Sequence, residues 1–228
     1  MTDGMMDGMG GAGRGPDIQR FLDALFACLA DSTRASAADR AFVAELAGRL
    51  AERGQPAADR LGDPPEVLRH LPAALAGLAE ATPAIRDVGA AFAAIAASVP
   101  WSKRRHDGPD AARFASGHGN ALIIGPGGAE TRRDVTLGVS LMAPYIRYPD
   151  HAHPPDELYL VLCEGEWRQG SKTERAGNER AGNERAGTEG ESGWRRLGVG
   201  GTVRNPPGVV HAMRAGAGPL LAVWALID

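Results

Sequence analysis

From Asp17 to about Ser98, apolar residues recur at spacings of three and four in a background of Ala, Leu, Arg and Glu. That is the period of amphipathic helices. Phe21, Leu22, Leu25 and Phe26 mark one stripe, and Phe42, Val43, Leu46 and Leu50 mark a second that runs to a stop signal at Gly54. Two more helices are predicted after Pro64-Pro65 and around Thr82-Pro83, where threonine before proline reads as a cap followed by the first helical position. After Pro100 the pattern becomes short runs of Val, Ile, Leu and Tyr separated by Gly, Pro, Asn and Asp, the mark of a small β-barrel or sandwich. Strands are predicted at 120–125, 134–142, 157–164, 194–197, 208–214 and 219–227. The class is therefore α+β: a Gly- and Met-rich arm over 1–16 without periodicity, expected to be disordered, a helical region over 17–100 packing on the barrel, and a β region over 101–228.

One segment interrupts the β pattern. Glu-Arg-Ala-Gly-Asn at 174–178 recurs at 179–183, and again with Thr188 in last place at 184–188. Three copies of five residues are too short for a solenoid, and a glycine at every fifth position opposes a helix. A solvated, low-complexity loop insertion over 174–190 is expected, with a role as a lid left open.

Composition narrows the function classes. A net charge of −3 over 228 residues leaves no basic surplus for a phosphate backbone, and no basic recognition helix stands out, so nucleic acid is not expected as a partner. Cys28 and Cys163 cannot build a disulfide framework or a four-thiolate zinc site, and they point to reduced thiols in the cytoplasm. The first residues lack a basic stretch followed by an apolar one, and no run of about 18 apolar residues occurs anywhere. Neither secretion nor a membrane partner is expected.

The chemistry concentrates in His151-Ala-His153-Pro-Pro-Asp-Glu157-Leu-Tyr159. All four of His151, His153, Glu157 and Tyr159 are odd-numbered, so on an extended chain they share a face, subject to the bend that Pro154 and Pro155 impose. Two imidazoles and a carboxylate suit a divalent transition metal such as Zn, Fe, Mn, Co or Ni. His211, after the rigid turn Pro206-Pro207-Gly208, would complete the set. His70, His106 and His118 have no partners in sequence and are read as surface or core residues. The three tyrosines, Tyr145, Tyr148 and Tyr159, all lie around this segment, and a phenol beside a divalent cation ionises below its ordinary pKa of about 10 and becomes a usable base.

These segments resemble the two cupin motifs, Gly-x5-His-x-His-x3,4-Glu-x6-Gly and Gly-x5-Pro-x-Gly-x2-His-x3-Asn. Tyr145 stands where the first Gly is expected, seven residues separate Glu157 from Gly165, and Ala215 replaces the final Asn. More specifically, Pro144-Tyr-Ile-Arg-Tyr-Pro-Asp-His-Ala-His-Pro-Pro-Asp-Glu-Leu-Tyr-Leu-Val-Leu and Asn205-Pro-Pro-Gly-Val-Val-His-Ala-Met-Arg resemble the cupin-type dimethylsulfoniopropionate (DMSP) lyases of marine bacteria. The resemblance spans roughly residues 100–228, and the helical half is similar in kind to that of longer members. It implies a C-terminal cupin barrel (a double-stranded β-helix, or jelly roll) and one divalent metal on His151, His153, Glu157 and His211. It also implies Tyr159 as general base, with Tyr148 beside it in the pocket.

The substrate would be a small zwitterion with a carboxylate at one end and a dimethylsulfonium at the other. Its sulfonium needs an aromatic wall. Tyr148, Tyr145 and Trp224 are the candidates, while Trp167 and Trp194 read as core or edge residues. Two other readings stay open: a cupin Fe(II) dioxygenase, and a non-catalytic cupin that binds a small ligand. Homodimer formation is also left open.

Overall fold

The computed structural model describes residues 14–31, 36–57, 61, 63–105, 108, 110–170 and 193–228. The arm expected over 1–16 lies outside these up to residue 13, as do His106 and the insertion expected at 174–190. Among the described residues, no helix is long and apolar enough to cross a membrane.

The predicted helices form where the stripes place them. α1 (Pro16–Ala30) has Pro16 in its first turn and buries Phe21, Leu22, Leu25, Cys28 and Leu29. α2 (Ala37–Ala51) opens with a reciprocal capping box between Ser36 and Asp39 and buries Phe42, Leu46 and Leu50. It ends three residues before Gly54, whose N–H donates to the Glu130 carboxylate at 2.6 Å. After Pro65 a 3-10 turn (Glu66–His70) runs into the short α3 (Leu71–Ala76), and α4 (Pro83–Ile95) follows. Thr82 occupies the cap position of α4 with Pro83 behind it, but its side chain makes no cap hydrogen bond. A fifth helix, α5 (Ala111–Gly117), was not predicted; it presents Phe114 to the interior.

Twelve strands are seen among the described residues: β1 (Gln55–Pro56), β2 (Trp101–Ser102), β3 (His118–Ile124), β4 (Glu130–Thr131), β5 (Val135–Met142), β6 (Arg147–His151), β7 (Asp156–Val161), β8 (Gly165–Gly170), β9 (Trp194–Leu197), β10 (Thr202–Asn205), β11 (Val210–Ala215) and β12 (Leu220–Ile227). The larger sheet runs β1-β4-β3-β5-β12-β7-β10 with β2 also on β3, and the smaller runs β6-β11-β8-β9. Six strands match the apolar runs read from sequence to within a few residues. The other six, β1, β2, β4, β6, β8 and β10, were missed, because they are short, polar or proline-bearing.

The two faces of the larger sheet do different work. Ala121, Ile123, Leu137, Val139, Leu141, Leu221, Val223, Leu158 and Leu160 lie on the alternate positions and are all buried, on the side of the helices. Gly119 sits on that face against Val67, Pro65 and Trp101, and Phe21 of α1 packs on Phe92 of α4 with ring centres 6.2 Å apart. The opposite face carries His118, Asn120, Glu157, Tyr159 and Trp224 toward the smaller sheet. The result is the expected α+β class, an N-terminal helical part covering a C-terminal cupin-type pair of sheets.

The N-terminal segment is also fastened. Arg14 is buried and pairs with Glu130 of β4 through Nε at 2.6 Å and Nη2 at 3.0 Å.

Candidate metal centre and active site

On an extended chain the four odd-numbered residues would share one face, but the chain crosses between the two sheets inside this segment. His151 ends β6 in the smaller sheet, whereas Glu157 and Tyr159 stand on β7 in the larger one. His153-Pro154-Pro155 is the crossover, so the prolines do more than bend a strand. Register then supplies the missing ligand, because His211 on β11 lies directly opposite His151 on β6. Gly208 makes the turn before β11 with φ +75°, and its N–H donates to the His153 carbonyl at 2.9 Å.

His151, His153 and His211 each offer one ring nitrogen, all within 4.8 Å of one another. The other ring nitrogens are engaged alike: Nδ1 of His151, His153 and His211 lies 2.9 Å from the carbonyls of Pro149, Pro155 and Val209. A carbonyl can only accept, so Nδ1 carries the proton and Nε2 turns a lone pair inward. Glu157 completes the cluster, with Oε2 at 3.3 Å from His153 Nε2 and 3.1 Å from His211 Nε2. Acceptor lone pairs gathered in a buried space, with the Nε2 atoms of His153 and His211 making no hydrogen bond, form a donor set that fits a divalent cation.

The electrostatics at His151 and Glu157 support this reading. Burial, with His211 close by, pushes the His151 imidazole down to about 4, so it is neutral. Burial works against a charged His153, but the Glu157 carboxylate outweighs it and the pKa lies above the ordinary value. Burial alone would raise Glu157, yet the facing imidazoles of His153 and His211 and a hydrogen bond from Asn205 bring it down to about 2.

Residues that sequence reasoning missed hold this carboxylate in place. Asn205, paired with Glu157 across β10 and β7, donates its Nδ2 to Oε2 at 2.7 Å. Gln169 of β8, opposite His211, donates its Nε2 to Asn205 Oδ1 at 2.6 Å and to the Arg204 carbonyl at 2.6 Å. The two sheets are thus tied together at the site. The sequence signal was faint: Asn205 directly precedes the second motif's Pro-Pro-Gly.

Two of the tyrosines enter the site. The Tyr148 ring is buried 4.6 Å from that of His151, and is flanked by His118 at 4.8 Å and Phe114 at 4.9 Å. Tyr159 is buried on the same face as Glu157, two residues on. Burial, the Glu157 and Tyr148 charges and a hydrogen bond to Glu157 hold its phenol well above 10. The chain's own groups therefore oppose the easy ionisation expected from sequence.

Trp224 stands opposite both Tyr159 and Gly138 in the larger sheet and shares their face, its indole N–H buried without a partner. A Cβ at residue 138 would come within 2.5 Å of its ring, so Gly138 makes the space. Trp167 is core, and Trp194 sits on the edge strand β9 with Arg147, Arg168 and Arg214 over its ring.

Tyr145 is not brought to the centre. Its side chain is 66% exposed on the turn before β6, and its φ of +61° is the left-handed conformation that explains a glycine at this motif position. His70 lies near the surface beside Arg69, and His118 is a core residue that borders the site.

A family model for dimethylsulfoniopropionate lyase matches residues 38–184. Among solved structures, the DMSP lyase DddQ from Ruegeria pomeroyi DSS-3 is 24% identical over 93% of this chain and 92% of that one, with a TM-score of 0.61. A structure described as DMSP lyases RdDddP and RnDddQII is 20% identical over 93% of this chain and 92% of that one, with a TM-score of 0.59. At these identities the structural likeness speaks for the fold. No curated protein sequence matches the chain. Its family model covers well over half of the sequence, and the chain belongs to the dimethylsulfoniopropionate lyase family, as a carbon–sulfur lyase.

Proposed function

We propose that the protein uses one divalent transition metal, held by His151, His153, Glu157 and His211, to cleave DMSP to dimethyl sulfide and acrylate, with Tyr159 as general base. The observation that carries this reading is the gathering of the three imidazoles of His151, His153 and His211, with Nε2 of His153 and His211 against Glu157 and Tyr159 two residues along the same strand face. A bound divalent cation would polarise the substrate carboxylate, acidify its α-carbon and favour the phenolate of Tyr159.

The chain's residues do the rest. Tyr159 takes the α-proton, the C–H electron pair becomes the new C=C bond, and the C–S pair leaves with sulfur as dimethyl sulfide. The proton then passes to solvent and no redox partner is needed. Trp224, on the Tyr159 face, offers an aromatic surface to the sulfonium. Tyr148 closes the side next to His151. Asn205 and Gln169 keep Glu157 aimed while the charge distribution changes.

The test is headspace dimethyl sulfide from purified protein given DMSP, alongside Tyr159→Phe. The Phe variant keeps ring and register, so it should fold and retain metal while its rate falls by about 10² or more, the scale of a lost general base. Near wild-type release from a fully metallated Phe variant removes Tyr159 from the mechanism. Oxygen uptake without dimethyl sulfide would favour the dioxygenase reading.

A further inference from the structure

β9 is an edge strand of the smaller sheet and β10 an edge strand of the larger one, and a chain of hydrogen bonds runs between them. Arg195 on β9 lies opposite Trp167, two residues along β8 from Gln169. Its Nη2 donates to Gln169 Oε1 at 3.3 Å. Gln169 Nε2 donates to Asn205 Oδ1 and to the Arg204 carbonyl, both at 2.6 Å, and Asn205 Nδ2 donates to Glu157 Oε2 at 2.7 Å. Arg195 is exposed, Gln169 is half-buried, and Asn205 and Glu157 are buried. An exposed guanidinium is thus joined to a candidate metal ligand through two amides.

An amide can be turned end for end, but this chain allows only one direction. A guanidinium only donates, so Gln169 must show Oε1 to Arg195. A backbone carbonyl only accepts, so Gln169 shows Nε2 to Arg204, and its other N–H then meets Asn205 Oδ1. Asn205 is left with Nδ2 for the carboxylate, which also only accepts. Every N–H therefore points from the surface toward Glu157. Turning either amide would set oxygen against oxygen inside the fold. The charge of Arg195 has the opposite consequence through space, because a guanidinium repels a nearby metal cation.

We propose that Arg195 is a positioning residue for the metal centre, which acts through Gln169 and Asn205 to fix the direction of both amides and so hold Glu157 in the pose that binds the cation. The proposal rests on the metal reading above. It extends the support of Glu157 to a residue on the surface and gives that support a sign: Arg195 strengthens cation binding although it is itself a cation.

The experiment measures Zn(II) affinity of the metal-stripped full chain by competition with a chromogenic chelator, in wild type, Arg195→Lys, Arg195→Met and Gln169→Glu. Arg195 is exposed, so its variants should fold. Gln169→Glu should weaken Zn(II) about 10-fold, the low end for outer partners of metal ligands, and Arg195→Met, one step further out, about 3-fold. Arg195→Lys still donates and should stay within about 2-fold of wild type. Through space, losing a cation or gaining a carboxylate would tighten binding, so the sign separates positioning from bulk charge. Asn205→Ala cuts the chain, and in that background Arg195→Met should no longer weaken Zn(II). Equal or tighter Zn(II) binding by Arg195→Met in the otherwise wild-type chain overturns the proposal. An undiminished loss in the Asn205→Ala background also overturns it, because Arg195 would then support the fold rather than Glu157. In both cases Zn(II) binding by wild type leaves the metal reading standing, whereas a wild type that binds no Zn(II) overturns both. Dimethyl sulfide release is read on the same preparations, and the expected Zn(II) losses without any release would remove the lyase reading and leave the positioning role in place.

Discussion

Arg14 and Glu130 form an ion pair with both side chains only 2% exposed, and breaking it should be among the costliest single changes outside the site. All five guanidinium N–H groups are used: Nε and Nη2 on Glu130, Nη1 on the Leu50 carbonyl at 2.9 Å and Gln19 Oε1 at 3.3 Å, and Nη2 also on the Glu52 carbonyl at 3.4 Å. The pair joins the start of α1, the end of α2 and β4. Glu130→Gln keeps the shape and removes the charge, leaving Arg14 buried without its counter-ion. Such losses run to about 3–5 kcal/mol, and the surviving carbonyl contacts put this one near 3. That is a large share of a total stability of roughly 5–15 kcal/mol, equivalent to a Tm lower by about 6–12 °C for a chain of this size.

Arg14→Met should cost a similar amount, and the double variant should cost less than the two together by about 2 kcal/mol or more, since no lone buried charge remains. Urea unfolding followed by circular dichroism measures all four corners of the cycle. The pair also has a pH signature. Burial alone would raise the Glu130 pKa, but Arg14 and the Gly54 N–H outweigh it and hold it below 4.5. A depressed carboxylate contributes stability above its unfolded value and loses it as pH falls through the folded one, so the gap between wild type and Glu130→Gln should close in acid. A Gln variant within about 1 kcal/mol of wild type at pH 7, or a strictly additive cycle, would refute the reasoning.

His211→Ala should lose bound metal by about 10-fold or more in affinity, and full stoichiometry by elemental analysis would break the assignment of the second motif. Burial holds His118 at about 3, so between about pH 6.5 and 3 the unfolded chain takes up a proton that the folded one refuses. Stability should fall with acid by up to about 1.4 kcal/mol per pH unit from this group, and His118→Leu should flatten the slope measured on metal-stripped protein; unchanged slopes would contradict it. Tyr145→Gly relieves a left-handed residue worth about 1–2 kcal/mol against a glycine entropy cost of about 0.5–1, so stability should stay level or rise by up to about 1.5 kcal/mol. Lyase activity should be kept, and a fall in kcat/KM would show that the exposed ring touches substrate after all.

What the sequence determined by itself is what is local in period or rare in type. Stripes at helical spacing located α1 and α2, alternate apolar residues located β5 and an unbroken apolar run located β12, because burial leaves its pattern in the chain. The candidate ligands were legible because only six histidines exist and three of them fall in two short segments. Tertiary structure decided the rest. Arg-Tyr-Pro-Asp-His carries no strand pattern, yet it pairs with β11 and so sets His151 against His211. Asn205 and Gln169 became supports of Glu157 only through register between strands and contact between sheets. Arg14 lay in a segment with no periodicity, and its partner stands 116 residues away. Side-chain period is a property of neighbours along the chain, whereas register, sheet-to-sheet packing and the pairing of buried charges are set by residues that meet only once the chain has folded.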